Sequence, residues 1–533
     1  MSELRLVPAA LTVWAVTLAL LIDAPFPLLI LIPLLLAVLR QYGQALLTLT
    51  LGGLAGILTA WRQHLAATWH PPEQAVGTVV TAGRAHIQIA LPGHLTPLTV
   101  FNDSDPNPGA HVLVQAGWAE SDRPGVGTLV GTGEVTVVAD PSGLHLVAAS
   151  VRDHLRAAVD AHLGESSRGL VPGMVLGDVG AQSELEQQLY IDTGLSHLSA
   201  VSGANVAVIT TAAVVACRLL TLGPRVQVAA AVLALLGFVG LVGTEPSVLR
   251  ASVTGLVGLL AVLGSTRLEP IHGLCLAVIG LILWDSGMAV SYGFALSVAA
   301  TAGIIALHPL LVRPLARTGL PEIVVRALAV AISADIVTLP IIALMAGEVS
   351  VVSVLANVLV APAVAPVTVL GLIAAGLSLL PGPIAWLPLK LLEPCTWWIH
   401  TVAEWCASLP VSTVPAEPLW VLIAYGWIIA GIVAGHPAKT LILLLVWWIY
   451  AADFTRTPPE IPLDTLQVHV VREVADVDTA PPGTQVIIVS ESSGSPADRP
   501  TVTRDGIPVL FPNRDGEVTL HADGTQHARD GRF

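Results

Sequence analysis

Charge is what this sequence has least of. Of its 533 residues only 12% are Asp, Glu, Lys or Arg, with 24 basic against 38 acidic and a formal net charge of −14. A soluble domain carries roughly 25% charged residues, so a purely water-soluble globule is excluded. No long basic run is present, which argues against a soluble nucleic-acid-binding module. Cysteine is scarce too. Cys217, Cys275, Cys395 and Cys406 have no C-x-x-C spacing and lie in or beside apolar stretches, so they read as small buried hydrophobes. There is no P-loop: the nearest stretch, "AGHPAKT" at 434–440, has Pro437 and Ala438 where glycine should precede the lysine. Any ATP must then be hydrolysed by another protein. His521, Asp523 and His527 are the closest approach to a metal set and read as tail surface, so neither a metal nor a cofactor is expected.

Apolar residues are abundant, at 54%. Several uncharged runs reach the roughly 20 residues needed to cross a bilayer. Residues 7–22, 26–39 and 45–60 form three apolar runs with short breaks, the second of them short for a full span. Residues 66–164 then change character. "AVGTVV", "AHIQIAL", "TPLTVF", "HVLVQAGW" and "EVTVVAD" read as five short strands between turn residues, followed by the amphipathic helix "VRDHLRAAVDAHLG". From residue 206 apolar runs dominate again to 450. The run at 352–380 contains Pro362 and Pro366 and reads as broken or re-entrant. The run at 385–409 mixes four tryptophans with Lys390, Glu393, His400 and Glu404 and reads as an interfacial amphipathic helix.

The expected fold class is a polytopic α-helical membrane protein with about ten to twelve membrane helices, some broken or interfacial, and an inserted OB-like β-barrel. Four parts are predicted: N-terminal helices at 1–65, an extracytoplasmic barrel at 66–164, a membrane domain at 165–450 and an acidic β-rich tail at 451–533. Arg5 and Arg40 flank the first two runs, which places the N-terminus in the cytoplasm and 66–164 outside; Arg62 runs against this. The tail is expected on the same outer side as the barrel.

Polar residues inside the apolar part are the candidates for chemistry, since they are costly in hydrocarbon unless they face protein or water. "GLSHLSAVSGANVAVI" at 194–209 carries His197, Ser202, Gly203 and Asn205, a pattern for a helix end or break bordering an internal polar space. Equally open is a helix cap with interhelical packing. "GTEPSVLRAS" at 243–252 places Glu245 and Arg250 around Pro246, which can open a helix. A solvated loop with an arginine anchor is the alternative. Gly293, Ser297 and Thr301 recur every four residues and read as a packing face. Asp335 and Asn357 are lone polar groups in apolar runs and join the candidate path.

"GLVPGMVLGD" followed by "TGLSHLSAVSGANVAVI" resembles the signature of the ComEC competence family, inner-membrane channels for DNA uptake. "EPSVLRASV", "YGFALSVAATAG" and "VSVVSVLANVLVAPAVAP" resemble later motifs of that family in the same order, over roughly 169–380. The alanine–asparagine after Ser202-Gly203 is of the actinobacterial type. The resemblance implies passage of single-stranded DNA across the cytoplasmic membrane in natural transformation, along a path including the candidate residues above. It implies as partners a surface DNA receptor, a cytoplasmic DNA translocase ATPase, membrane lipid and a homo-oligomeric assembly. Many members end in a metallo-β-lactamase-like domain. Its H-x-H-x-D-H signature is missing from this sequence, so neither nuclease nor other enzyme activity is expected. The barrel region carries about nine acidic residues to four arginines, poor for gripping phosphate, whose charge dominates nucleic-acid affinity. Two rival readings remain: an intramembrane serine protease using Ser202, and a small-molecule transporter with a broken-helix site.

Overall fold

The computed structural model describes residues 4–25, 31–263 apart from positions 73, 84, 85, 103, 105, 122 and 128, then 269–454 and parts of 466–533. The chain divides into two compact units, Met1–Leu444 and Leu445–Phe533.

The first unit opens with α1 (Val7–Leu21), α2 (Leu31–Val38) and α3 (Tyr42–Thr68). Residues 26–30 of the second apolar run lie outside the described residues. Gly52 of α3 lies against Thr12 and Gly56 against Val16, and Gln63 Nε2 donates to the Leu20 carbonyl at 3.1 Å. Contact positions that rise together mean that α1 and α3 run parallel. The N-terminus and the exit of α3 therefore lie at opposite ends of this helix group.

From α3 the chain enters a closed five-stranded barrel, the architecture of an OB-fold. Its strands are β1 (Gln74–Ala82), β2 (His86–Ala90), β3 (Leu98–Phe101), β4 (His111–Glu120) and β5 (Leu129–Ala139), in the order β1-β2-β3-β5-β4. The β3–β5 pair is parallel and the others antiparallel. Alternation puts Val79, Ile87, Ile89, Leu98, Val100, Val112 and Val114 inside, where they form the barrel's own core. All five strands overlap the segments read from sequence. α4 (Leu144–His162) follows and starts seven residues before the predicted helix, because Leu144–Ser150 continue the same helix. Its buried residues Ala148, Val151, Leu155 and Val159 recur at helical spacing.

Three short helices come next: α5 (Glu165–Arg168), α6 (Leu170–Leu176) and α7 (Glu184–Asp192). Every residue of α6 is buried. The Ser183 hydroxyl accepts from the Glu186 N–H at 3.1 Å, the N-cap half of the expected capping box. The remaining helices are α8 (Gly203–Leu219), α9 (Pro224–Val242), α10 (Pro246–Leu263), α11 (Pro270–Trp284), α12 (Tyr292–Leu315), α13 (Glu322–Ala346), α14 (Ser353–Leu377), α15 (Trp386–Ala407), α16 (Pro418–Val433) and α17 (Pro437–Phe454). Among the described residues, α3, α9, α12, α13 and α14 are long and apolar enough to cross a membrane; α1, α8, α11 and α16 give shorter apolar helices. This is a polytopic helical membrane protein with an inserted barrel.

One expectation is corrected. α14 is continuous through Pro362 and Pro366. The helix lies flush against α15, burying Val360, Ala363 and Val367 with Ile399 and Val402, and the Trp398 indole donates to the Leu359 carbonyl at 2.9 Å. Packing of this kind holds a helix together where proline removes an internal bond. Arg62 is also accounted for. Its guanidinium donates to the Leu283 and Trp284 carbonyls at 2.8 and 2.7 Å and to Ser286 Oγ at 2.7 Å. It thus caps the C-terminal end of α11, where a cation complements the helix dipole.

Two short strands of the first unit, β6 (Glu348–Ser350) and β7 (Thr413–Pro415), pair antiparallel. In the second unit a four-stranded sheet has the order β10-β11-β9-β8, formed by β8 (Val468–Val471), β9 (Val486–Val489), β10 (Thr501–Val502) and β11 (Pro508–Leu510). β12 (Val518–Leu520) and β13 (Gln526–Ala528) pair as a hairpin. Val471, Ile487, Val489, Val509 and Phe511 form its core. Asp515, 6% exposed, accepts from the Arg514 guanidinium at 2.7 Å and from the Ala497 N–H at 2.9 Å. His521 and Asp523 lie outside the described residues.

Candidate functional site

The break in the 194–209 stretch is built from backbone conformation. Gly194 takes the left-handed region (φ 69°) and packs on Ser353, where any Cβ would overlap that side chain. This position needs glycine twice over. One 3₁₀ turn, Ser196–Ser199, carries His197. The backbone is then extended at Ala200 and Ser202, and α8 starts at Gly203. The sequence reading of a helix end at the Ser–Gly pair matches this geometry.

The polar groups there do not float. Ser202 Oγ donates to Asn205 Oδ1 at 3.3 Å, and Asn205 Nδ2 donates to the Met174 carbonyl at 2.8 Å. Asn205 is 1% exposed, so this bond to α6 meets the demand of a buried amide. Ser247 Oγ donates to the Val201 carbonyl at 3.0 Å and ties the start of α10 to the break. Pro246 opens α10, as its position at a first turn suggested.

Arg250 stands one turn further along α10. Its Nε donates to Ser297 Oγ of α12 at 2.7 Å. A Cβ at Gly203 would sit 3.6 Å from Arg250 Nη2, so glycine lets the start of α8 approach the guanidinium. Among the described residues no carboxylate pairs with Arg250. Glu245, in the loop before α10, presents its side chain to solvent but is flanked by protein, and burial raises its carboxyl above the usual range. His197, on the 3₁₀ turn, is also exposed to solvent.

Asp335 and Asn357 belong to a second knot. Ser353 Oγ donates to Asp335 Oδ2 at 2.5 Å, and Asn357 Nδ2 donates to the Ser353 carbonyl at 2.9 Å. Asp335 is 9% exposed and Ser353 3%. The 194–201 segment links the two knots, since Gly194 rests on Ser353 and Val201 on Ser247.

Ser353 and Gln182 carry no mark in the sequence reading. Gln182 is fully buried and donates to Ser199 Oγ at 2.9 Å. Ser353 was open to the test that singled out Asp335, a polar side chain in an apolar run, whereas Gln182 lies in the polar stretch "GDVGAQSELEQQ" and only its burial marks it. The Gly293–Ser297–Thr301 face divides: Gly293 packs against Pro246, Ser297 holds Arg250, and Thr301 bonds its own helix at the Ser297 carbonyl. Among the described residues no group of three or more His, Cys, Asp or Glu is placed to hold a metal ion.

Comparison with known proteins now bears on this arrangement. A family model described as "Competence protein" matches residues 174–439. That segment begins in α6 and takes in the break, Arg250 and both knots. The chain is similar to ComE operon protein 3 of Bacillus subtilis (strain 168), 26% identical over 311 residues. The alignment covers 57% of this chain but only 36% of that relative, so the chain spans well under half of its length. No solved structure matches. The matched segment, the ordered motifs and the multi-pass architecture agree: the chain belongs to the competence protein family and is a multi-pass protein of the cell membrane.

Proposed function

We propose that this protein passes single-stranded DNA across the cytoplasmic membrane during natural transformation. The observation that carries the reading is Arg250. It is a permanent cation near the start of α10, bonded to a neutral serine and pairing with no carboxylate among the described residues. A strand's phosphates supply the missing anion, and Arg is suited to phosphate by its planar fork. His197, Ser202, Gly203, Asn205 and Glu245 surround the entrance in this reading, and Asp335 and Asn357 stiffen its far side. The proposed division is a helical lead-in at 1–65, an outer barrel at 66–164, the path at 165–450 and a β-rich tail at 451–533. A surface receptor hands over the DNA and a cytoplasmic ATPase pulls it through.

A deletion strain given labelled duplex DNA tests the proposal. DNA should still collect at the cell surface, and none should reach the cytoplasm. Normal transformation in that strain would sink the channel reading. The protease reading has less support: Ser202 Oγ contacts an amide oxygen, which cannot serve as the general base that a serine nucleophile needs.

A further inference from the structure

α14 is long and apolar enough to cross the membrane. Its contacts say that it does not run along the other helices. At its start, Ser353 bonds Asp335 of α13, and Val354 packs against the cluster that holds Ile332 and Ile336 of α13. Near its end, Gly371 lies against Val175 of α6, next to Met174, whose carbonyl holds Asn205 at the start of α8, and Gly203 there lies against Ala251 of α10; Leu372 packs against the cluster shared by α8, α9 and α10. α12 gives the ruler for comparing these levels. Arg250 of α10 meets α12 at Ser297, and the Ser333–Val337 stretch of α13 meets it at Gly303. Ser297 and Gly303 are only about 9 Å apart along α12, whereas Ser353 and Leu372 are about 28 Å apart along α14. A helix that advances about 28 Å while its level changes by about 9 Å lies across the bundle, closer to the membrane plane than to its normal.

α15 shares this attitude. It packs antiparallel to α14: Val360 and Ala363 meet Ile399 and Val402, while Ala374 and Ala375 meet Leu389 and Leu392. The open end of the hairpin is closed by two short strands, Glu348–Ser350 pairing with Thr413–Pro415. The face of α15 turned away from α14 is a stripe of exposed apolar and aromatic residues. Trp386, Leu387, Leu391, Trp397 and Trp405 are all exposed, with Lys390 and Glu404 among them. Lys390 pairs with Glu393 at 2.9 Å and Glu404 with His400 at 3.2 Å. Tryptophan interleaved with charge is what the water–lipid boundary favours, and hydrocarbon does not.

We propose that α14 and α15 form a hairpin lying in the plane of the bilayer, with the tryptophan stripe of α15 seated in the lipid headgroup and upper acyl region. The covering partner is lipid. The inference stands apart from the DNA-uptake reading and does not need it.

Spin labels decide it. Single cysteines are placed at Leu387, Leu391, Trp397 and Trp405 of the full chain in lipid nanodiscs, with Leu233 in the middle of α9 as the deep reference. The parent chain taken through the same labelling sets the background from its own four cysteines. Collision with oxygen is compared with collision with a water-soluble nickel chelate. All four α15 sites should report one shallow depth, well short of Leu233. A depth that rises towards Trp397 and falls again would mean a spanning helix and overturn the proposal. Free access of the nickel chelate along the stripe would mean a water-facing surface, and strong spin–spin broadening a second copy; either also overturns it. Leu387 and Leu391 keep the test sound if the tryptophan variants fold poorly, because cysteine there removes no buried contact.

Discussion

Arg250 is the residue on which the functional reading turns. Arg250→Ala should lower DNA uptake strongly without loss of the protein from the membrane. Arg250→Lys should recover part of it, since lysine keeps the charge but not the fork. Uptake assays beside immunoblots of the membrane fraction check both. Equal uptake in all three chains would remove Arg250 from the path. The neighbours differ from one another in a testable way. His197 is exposed and Asn205 is 1% exposed with its amide bonded to Met174. His197→Cys should react quickly with a polar thiol reagent, and Asn205→Cys should stay inert. Asn205→Ala should also cost about 1–3 kcal/mol, because it strands the buried Met174 carbonyl, measurable as a lower melting temperature in detergent. Chemical pattern alone picked these residues out. It could not separate them, because whether a polar group lines a space or plugs a packing gap depends on what comes opposite it from a distant helix.

Between elements, close approach decides the architecture. Gly303 of α12 lies against the Ser333 carbonyl and the Val337 side chain of α13, with no room for a Cβ. Gly303→Val should push the two helices apart and lower stability by roughly 1–3 kcal/mol, the usual cost of overpacking. The same change at Gly237 of α9, where nothing lies within contact distance, should cost little beyond a helix-propensity difference of under about 1 kcal/mol. Thermal unfolding of the two variants in detergent compares them, and similar losses would refute the packing role. Much at this scale was legible in the chain. The five barrel strands announced themselves by alternation and turn residues, the start of α7 by S-x-x-E, and the start of α10 by its proline. α14 was misread as broken because proline's local cost is visible in sequence, whereas the α15 surface that offsets it is not.

For the molecule as a whole, orientation is the open quantity that charge speaks to. By the positive-inside rule Arg5 and Arg40 predict a cytoplasmic N-terminus, and with α1 and α3 parallel the chain is then expected to leave at the opposite end, into the barrel. Arg62 no longer counts against this, since its charge is taken up at the end of α11. Protease added to intact spheroplasts should therefore cut within 66–164. A tag in 451–533 should be removed by the same treatment if the tail shares that side. Protection of the barrel would invert the assignment.

The sequence by itself determined the solvent in which the chain folds, the order and kind of most elements, and the family. These are set by composition, by the period of apolar residues and by motifs a few residues long, all local properties. Only the tertiary structure decided that Asn205 is spent on α6, that Arg250 is held by Ser297, that Asp335 and Asn357 meet at Ser353, and that α14 lies across its neighbours. Each of these joins positions about 20 to 50 residues or more apart, or sets a direction in space. In hydrocarbon a long apolar helix is satisfied along its own backbone in any orientation, so its sequence carries little information on which way it points.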